Sequence, residues 1–419
     1  MSNIKKSLEK RAEITQRPAH LTKQLRVALL YLMIGTCLIY FFSNPESHSP
    51  YDYTLRIASQ LIHGQLGQDQ KPPSWLNEMI PFEGRYYSAF PLGSILTMLP
   101  AAFLKAMGII KENPSALLVA IISGLTCIFL FLITLRYDIS SQRRLMAVSM
   151  VLFGTWMWCN LAMAGAWQLA LGFAVLGQLG TLYFILIKQR PFVAGCFFAV
   201  AFGNRTEIIL VAPLFIYLLC RDSAGSLKDL HQQWLKIAKF CAVPVGLGLL
   251  TMAYNYARFH SAFDFGYARI PGVLNEPWYK NGIFSLSAIP SNAKEMLLTP
   301  WKSVRSFPYL VPTGFGGSIL LSSPFLVLLF RKGAVDSRLK LTSWIAVAVL
   351  TFVLWCHGNP GGWQFSYRYA MILLPWFFLI LLENSPERIT VNEKILFVLS
   401  LLINAYGTYL FLWTHYVKP

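Results

Sequence analysis

Apolar runs recur along the whole 419-residue chain, and no other feature of the sequence restricts its fold as strongly. Most are about 16 to 24 residues long, near the roughly 20 residues that a helix needs to cross a bilayer. Only 13% of the residues are charged, about half the share of a soluble domain. The sequence therefore predicts an all-α integral membrane protein, a polytopic helical bundle of about 11–12 transmembrane helices. The spans are expected at approximately 27–42, 115–135, 145–160, 164–187, 191–204, 207–220, 238–254, 312–330, 341–356, 368–382 and 395–413.

The net charge of +17 comes from 36 Lys and Arg against 19 Asp and Glu, and it falls between the apolar runs. Cytoplasmic loops of membrane proteins carry such an excess of basic residues, and no nucleic-acid-binding module is apparent. We therefore expect a single multi-pass domain, 1–419, in the plasma (inner) membrane, with a cytoplasmic N-terminus and an extracytoplasmic C-terminus. Two outer loops follow, at about 43–90 and 255–311. The basic segments are the N-terminal arm and residues 136–144, 188–190, 221–236, 331–340 and 383–394.

One apolar segment does not fit the alternation of inner and outer loops that these spans imply. The segment PLGSILTMLPAAFLKAMGII, residues 91–110, is apolar enough to span the membrane. A full crossing here would place the basic loop 136–144 outside, against the charge rule. A re-entrant or membrane-surface helix is the alternative, and the sequence leaves the choice open.

The stretch SHSPYD, residues 47–52, has the signature of a helix start just after the first span. Ser49 is a good N-cap, and Pro50 suits the first helical position. At the third helical position, the Asp52 side chain would accept a hydrogen bond from the backbone N–H of the cap residue. Arg56 lies at i,i+4 to Asp52, and Gly64 is a natural stop. The sequence predicts an amphipathic juxtamembrane helix in the first outer loop. On the residues alone, Asp52 is a cap, a catalytic base or part of a transport path.

Four phrases of the sequence resemble the GT-C superfamily of polyprenyl-phosphate-sugar-dependent glycosyltransferases, and in particular bacterial relatives of the dolichyl-phosphate-mannose protein O-mannosyltransferases. They are an outer loop with an early acid, GRYYSAFPLGSILTMLP at 84–100, NYARFHSAFDFGY at 255–267 and GGWQFSYRYAMILLP at 361–375. The chain departs from the family where Leu92 replaces a proline and Ser366 a glycine. Trp167 and Gln168 also stand where many relatives carry an acid.

The resemblance implies a GT-C-like fold and the transfer of a sugar from a polyprenyl-phosphate donor to a glycan, lipid or protein acceptor outside the cytoplasm, with inversion. It implies that Asp52 is the general base, which takes the acceptor's hydroxyl proton. The leaving phosphate needs fixed cations or a metal. The sequence has no acidic cluster suited to Mg²⁺, so arginines are expected in this role and no metal or other cofactor. Candidate contacts to the donor are Arg56, Arg85, Tyr86, Tyr87, Arg205, Glu207, Arg258, Arg368 and Tyr369.

Several of these residues have a structural alternative. Arg205 and Glu207 are either a site for the donor or acceptor or an ion pair in a turn. Arg368 either contacts phosphate or sugar or extends to a lipid headgroup. The aromatic residues of loop 255–311 either stack on sugars or form an interfacial belt.

Two other functions fit the same composition. One is an O-antigen polymerase or ligase, which would use a diphosphate-linked glycan. The other is a transporter or flippase, although the chain shows neither internal repeats nor paired broken helices.

Overall fold

The computed structural model describes residues 21–221, 227–385 and 388–417, and within these ranges the protein is built almost wholly of helices. The α-helices are α1 Lys23–Phe42, α2 Tyr53–Ile62, α3 Leu92–Leu96, α4 Leu99–Ala106, α5 Ser115–Thr134, α6 Ser141–Phe153, α7 Met157–Ala162, α8 Ala166–Leu186, α9 Pro191–Asn204, α10 Ala212–Cys220, α11 Leu227–Phe259, α12 Ile289–Leu297, α13 Ile319–Ser322, α14 Ser337–Cys356, α15 Leu374–Glu383 and α16 Val391–Leu412. The 3-10 segments are Thr206–Val211, Tyr267–Arg269, Val273–Asn275, Pro277–Tyr279, Leu286–Ala288, Pro324–Phe330 and Arg368–Leu373. The strands are β1 Met79–Phe82, β2 Arg85–Ser88, β3 Lys302–Ser303, β4 Leu310–Val311, β5 Phe315–Gly316 and β6 Gln364–Phe365.

The prediction of a helical membrane protein is confirmed. Six helices of the described chain are long and apolar enough to cross a bilayer, namely α1, α5, α8, the part of α11 at Leu230–Phe259, α14 and α16. The other predicted spans correspond to helices that are short or broken. For example, the span at 145–160 divides into α6 and α7, and those at 207–220 and 368–382 each begin as a 3-10 segment.

Helix α8 is the centre of the bundle. In its most apolar stretch 89% of the residues are buried inside the protein, against 11% for α1. A helix that is apolar all round suits such a position, because it contacts other helices on every side. The first helical residues of α8, Ala166 and Trp167, lie at the end of the molecule where the long loops gather.

Ion pairs show that the basic loops meet at one end of the molecule, here called the basic end. Asp336 accepts a hydrogen bond from Arg136 at 2.9 Å and is paired with Arg221 at 2.9 Å, while Arg331 pairs with Glu393 at 2.8 Å. These residues come from the segments 136–144, 221–236, 331–340 and 383–394, so four of the predicted basic loops are together. The N-terminal arm lies largely outside the described residues.

The two long loops meet at the opposite end, here called the loop end, where His260 Nε2 lies 3.1 Å from Glu83 Oε1. Asn44 Nδ2 donates to the carbonyl of Ala162 at 3.0 Å, and Trp413 Nε1 donates to the carbonyl of Ser43 at 2.8 Å. The chain therefore returns to this end after α1, α7 and α16, as the predicted alternation requires. Pro419, for which an extracytoplasmic position is predicted, lies outside the described residues.

The structure resolves the ambiguous segment 91–110. It forms two short helices, α3 and α4, of five and eight residues, which together are roughly 20 Å long, less than the ~30 Å of a bilayer core. The chain is still at the loop end afterwards, because Ala116 N donates to the carbonyl of Ser47 at 3.2 Å. The segment therefore does not cross the bundle, and the predicted alternation of the basic loops is preserved.

A hairpin of strands β1 and β2 carries the GRYYS phrase. Phe82 pairs with Arg85, and the turn between them is Glu83–Gly84. Both turn residues have positive φ, 47° and 78°, as the two-residue turn of a tight hairpin requires. Asn or Gly is usual in the first position, so Glu83 adopts an uncommon conformation for its type.

Helix α3 packs directly against α9 through two glycines. A Cβ atom added to Gly93 would overlap the backbone of Gly203. Since backbone cannot move as a flexible side chain does, we expect Gly93→Ala to destabilise the protein by about 1–3 kcal/mol, the usual range for overpacking. The measurement is thermal unfolding in detergent. Gly35→Ala on α1 is the matched control, because a Cβ there meets nothing within 4 Å; equal melting temperatures for the two variants would contradict the prediction.

The arrangement of the loops also predicts membrane topology. Epitope tags inserted in 65–80 or 275–295 should be accessible on intact cells, because both segments belong to the loop end. A tag in 331–340 should become accessible only after permeabilisation, since the positive charge of the basic end favours the cytoplasm. If all three tags were accessible from the same side, the alternation of the spans would be wrong.

Candidate active site at the loop end

The helix after the first span begins later than the sequence predicts. Helix α2 starts at Tyr53, with Asp52 at the N-cap position, so the assignment of the cap to Ser49 is wrong. The backbone N–H of Ser49 donates instead to Ser115 Oγ at 2.8 Å, a tertiary contact that holds this residue against the start of α5. The predicted stop is correct: α2 ends at Ile62, and Gly64 has a φ of 72°.

Asp52 does not cap the helix with its side chain. Its two carboxylate oxygens accept from Arg56 instead, with Nη2 at 3.0 Å from Oδ1 and 3.2 Å from Oδ2. The predicted i,i+4 pair therefore forms, while the predicted capping does not. The Asp52 side chain is 16% exposed, so the pair is accessible from solution on one side.

Trp167, at the start of the central helix, links Asp52 to the rest of the site. The residues on either side of Asp52 both contact the indole, since the rings of Tyr51 and Tyr53 have centroids 5.3 and 5.1 Å from it. Ala166 N also donates to the carbonyl of Tyr51 at 3.0 Å. Through its two neighbours, Asp52 is thus attached to the group of aromatic side chains around Trp167, here called the aromatic floor of the site.

Glu78 is an acid of this site that the sequence analysis missed. Its Oε2 accepts from Trp167 Nε1 at 2.8 Å, so the indole at the start of the central helix binds this carboxyl group. Burial raises the pKa of the Glu78 carboxyl, an effect that the Trp167 hydrogen bond and the positive charge of Arg368 partly offset. The signal in the sequence is a lone acid in SWLNEM, in the same outer loop as Asp52.

Arg368 is a buried cation without an acidic hydrogen-bond partner in the described residues. Only 5% of it is exposed. Its Nη1 donates to the carbonyl of Trp363 at 3.1 Å, and its Nη2 lies 3.4 Å from the Tyr369 hydroxyl. Its Nε has no partner among the described residues. The guanidinium carbon is 5.8 Å from the centroid of the Trp167 ring, so this cation borders the same aromatic floor as Asp52.

Tyr369 lies beside two cations. The guanidinium carbon of Arg205 is 4.8 Å from the centroid of its ring, and that of Arg368 is 5.1 Å from it. Arg205 is also paired with Glu207, with Nε 2.8 Å from Oε1. Arg205 and Glu207 therefore form the ion pair that was the structural alternative for them. The pair lies beside Arg368, on the same Tyr369 ring.

A second group of aromatic side chains borders Tyr369. The His357 ring has its centroid 5.9 Å from that of Tyr369 and 6.1 Å from that of Tyr267. The hydroxyl groups of Tyr267 and Tyr279 are 2.7 Å apart. Burial lowers the pKa of His357 and raises the pKa of Tyr279 to about 12. Near neutral pH this part of the site is therefore expected to be uncharged and rich in hydroxyl groups.

The hairpin candidates have partners elsewhere. Arg85 pairs with Asp69 at 3.0 Å, and Tyr87 packs against Phe259 with ring centroids 5.5 Å apart. Arg258 Nη1 donates to the carbonyl of Ser88 at 2.8 Å, which attaches the hairpin to the end of α11. The backbone of Tyr86 exchanges two hydrogen bonds with the backbone of Gln68. The structure does not group these four candidates with Arg368, and their role in donor binding stays a prediction.

Ser366 lies two residues before Arg368. Its φ is 56°, a left-handed conformation that glycine adopts without strain. Here the Ser366 hydroxyl donates to the carbonyl of Gly317 at 3.1 Å, which offsets part of that cost. Two residues later the turned chain directs Arg368 into the site.

Within the described ranges, no group of three or more His, Cys, Asp and Glu side chains could hold a metal ion. The expectation that the reaction needs no metal is not tested by this observation and stays a prediction.

Comparisons with known proteins identify no family for this chain. No family model matches it, and no curated protein matches it. Among solved structures, it is similar to the archaeal oligosaccharyltransferase AglB from Archaeoglobus fulgidus, in complex with an inhibitory peptide and a dolichol-phosphate. The identity is 14% and the TM-score 0.45, over 93% of this chain and 56% of that one. The chain thus spans little more than half the length of that protein.

The raised pKa of Glu78 can be measured directly. We expect infrared difference spectra to show a protonated carboxyl that ionises above the usual range of glutamate and is missing in Glu78→Gln. Arg368→Gln should shift this ionisation to still higher pH, because the positive charge of Arg368 favours the carboxylate. Glu46→Gln is the control, since Glu46 is exposed at the same end. A spectrum that Glu78→Gln leaves unchanged would refute the assignment.

Proposed function

We propose that this protein is a membrane glycosyltransferase that moves a sugar from a polyprenyl-phosphate donor to an acceptor at the loop end. The observation that carries the proposal is Arg368, a buried guanidinium with an unpartnered Nε and no acidic hydrogen-bond partner in the described chain. A buried cation is costly unless an anion accompanies it. A phosphate would supply that anion when the donor binds.

The surroundings of Arg368 suit a lipid-phosphate leaving group. The planar guanidinium can bind two phosphate oxygens at once, and Arg205 lies against the same Tyr369 ring. Negative charge grows on the phosphate as the glycosidic bond breaks, so fixed cations stabilise the transition state more than the ground state. We therefore assign the donor phosphate to Arg368 first, with Arg205 as its neighbour.

The aromatic and hydroxyl groups suit a sugar. Trp167, Tyr369, Tyr267 and Tyr279 present ring faces and hydroxyl groups around the two arginines. Sugar rings combine apolar faces with hydroxyl groups, and aromatic side chains with a polar end match that combination. The donor sugar would therefore lie between these side chains and the acidic side of the site.

Transfer also needs a general base, and we assign this role to Asp52, whose two neighbours in the chain contact Trp167. Its two oxygens accept hydrogen bonds from Arg56, which holds the carboxylate in one orientation. Glu78 is the second carboxylate, held by Trp167 and facing the charge of Arg368. We assign it to orienting the acceptor or donor hydroxyl groups, so its loss should impair binding more than proton transfer.

The remaining features follow from the resemblance to the GT-C enzymes and from the distribution of charge. They are a location in the plasma membrane with the loop end outside, direct displacement of the lipid phosphate with inversion, and independence from metal. The acceptor would be a glycan, lipid or protein outside the cytoplasm.

The test is sugar transfer from a synthetic polyprenyl-phosphate sugar by the purified protein in nanodiscs. Arg368→Gln should reduce transfer roughly 10²-fold, the scale for losing one group that stabilises developing charge. Arg368→Lys should recover only part of it, because an ammonium lacks the bidentate fork. Lys111→Gln, at an exposed cation of the same end, is the control. Normal transfer by Arg368→Gln would refute the phosphate assignment.

The same assay separates the two carboxylates. Asp52→Asn should lower kcat roughly 10²-fold or more with little change in KM, the pattern for losing a general base. Glu78→Gln should chiefly raise KM. The reverse result would move the base to Glu78, and full activity in both variants would refute the proposed site. Use of a diphosphate-linked donor alone, or lipid translocation without transfer, would indicate the polymerase or flippase alternatives instead.

A further inference from the structure

A large cavity lies at the basic end, far along the bundle from the site described above. Its volume is about 1080 Å³. The ends of α8 and α10, the first turns of α11 and the segment that leads into α14 form its walls. These elements come together because Asp336, in that segment, pairs with Arg221 at the end of α10.

One face of α11 lines this cavity with polar and basic side chains. Gln232, Lys236 and Lys239 follow each other at i, i+4 and i+7 and all border it. Residues at this spacing lie on the same side of a helix. Lys239 is exposed, so its ammonium can reach a ligand that enters from the membrane surface.

The described lining residues of the cavity carry more positive than negative charge. Among the described lining residues the only carboxylate is Asp336, and Arg136 and Arg221 already bind it at 2.9 Å. Lys239 and Arg338 also line the cavity, and they supply the positive charge that would attract a ligand.

The other walls of the cavity are apolar. Leu186, Leu218 and Leu235 line it from three different helices. Helices α10 and α11 also expose apolar side chains on their outer surface, among them Tyr217 and Leu249. The cavity is thus lined by both cations and apolar side chains, and it lies beside helices with apolar side chains on their outer surface. A ligand with an anionic head and hydrocarbon chains matches both parts.

We propose that this cavity binds the phosphate group of an acidic phospholipid, with the headgroup among the cations and part of an acyl chain against the leucines. Basic pockets between helices on the cytoplasmic side are suited to such headgroups, and each nearby Lys or Arg adds to the attraction. The site is independent of the proposed glycosyl transfer, because none of its residues belongs to the loop end.

The experiment is native mass spectrometry of the full-length protein released from nanodiscs that contain phosphatidylcholine with cardiolipin or phosphatidylglycerol. The wild-type protein should retain an acidic phospholipid in preference to phosphatidylcholine. The double variant Lys239→Gln/Arg338→Gln should lose this preference, with affinity reduced about fivefold for each cation removed. Lys332→Gln is the matched control, an exposed cation at the same end that does not line the cavity.

A second arm distinguishes a lipid from a soluble anion. Inorganic phosphate is added to the protein in neutral detergent, and thermal unfolding is followed. Stabilisation by phosphate that disappears in the double variant would assign the cavity to soluble phosphate-bearing ligands and overturn the lipid assignment. Cardiolipin is added in a parallel sample, and stabilisation by cardiolipin but not by phosphate would support the assignment of the cavity to a lipid. If neither ligand distinguishes the double variant from Lys332→Gln, the proposed site does not exist.

Discussion

Buried ion pairs at the basic end determine how the helices are arranged. Glu393, which is 2% exposed, pairs with Arg143 at 2.9 Å and with Arg331 at 2.8 Å, and Asp336 binds arginines from two further segments. Removal of one partner from such a buried pair leaves an uncompensated charge and typically costs about 3–5 kcal/mol. Because several segments are joined at this end, the orientation of the helices that run to the loop end is fixed with them.

At the loop end, breaks in the helices bring the polar groups together. Arg205 precedes the 3-10 segment Thr206–Val211, and Arg368 opens the segment Arg368–Leu373. Irregular backbone at membrane depth is tolerated where protein buries it or where it lines a cavity. The segment Arg368–Leu373 is mostly buried, and the two breaks bring both arginines to the ring of Tyr369.

The hydropathy of the sequence predicts the helical spans, and the charge of its loops predicts how they alternate. Predictions from local sequence are less reliable where tertiary contacts compete. Ser49 is a good cap by type, but Ser115 accepts from the backbone N–H that Asp52 would bind in a capping box. Contacts between distant segments could not be predicted at all. The sequence shows an acid at Glu78 and a tryptophan at Trp167, and only the folded chain shows that they bind each other.

The position of Trp167 has a consequence for genetics. The indole donates to Glu78, lies beside the guanidinium of Arg368 and packs against the aromatic neighbours of Asp52. A substitution there would therefore be pleiotropic, since it changes an acid, a cation and the floor of the site at once. Phenylalanine is the informative replacement, because it retains a ring while removing the Nε1 donor. Alleles at this codon would consequently be ranked by the ring they retain before any defect is ascribed to one partner.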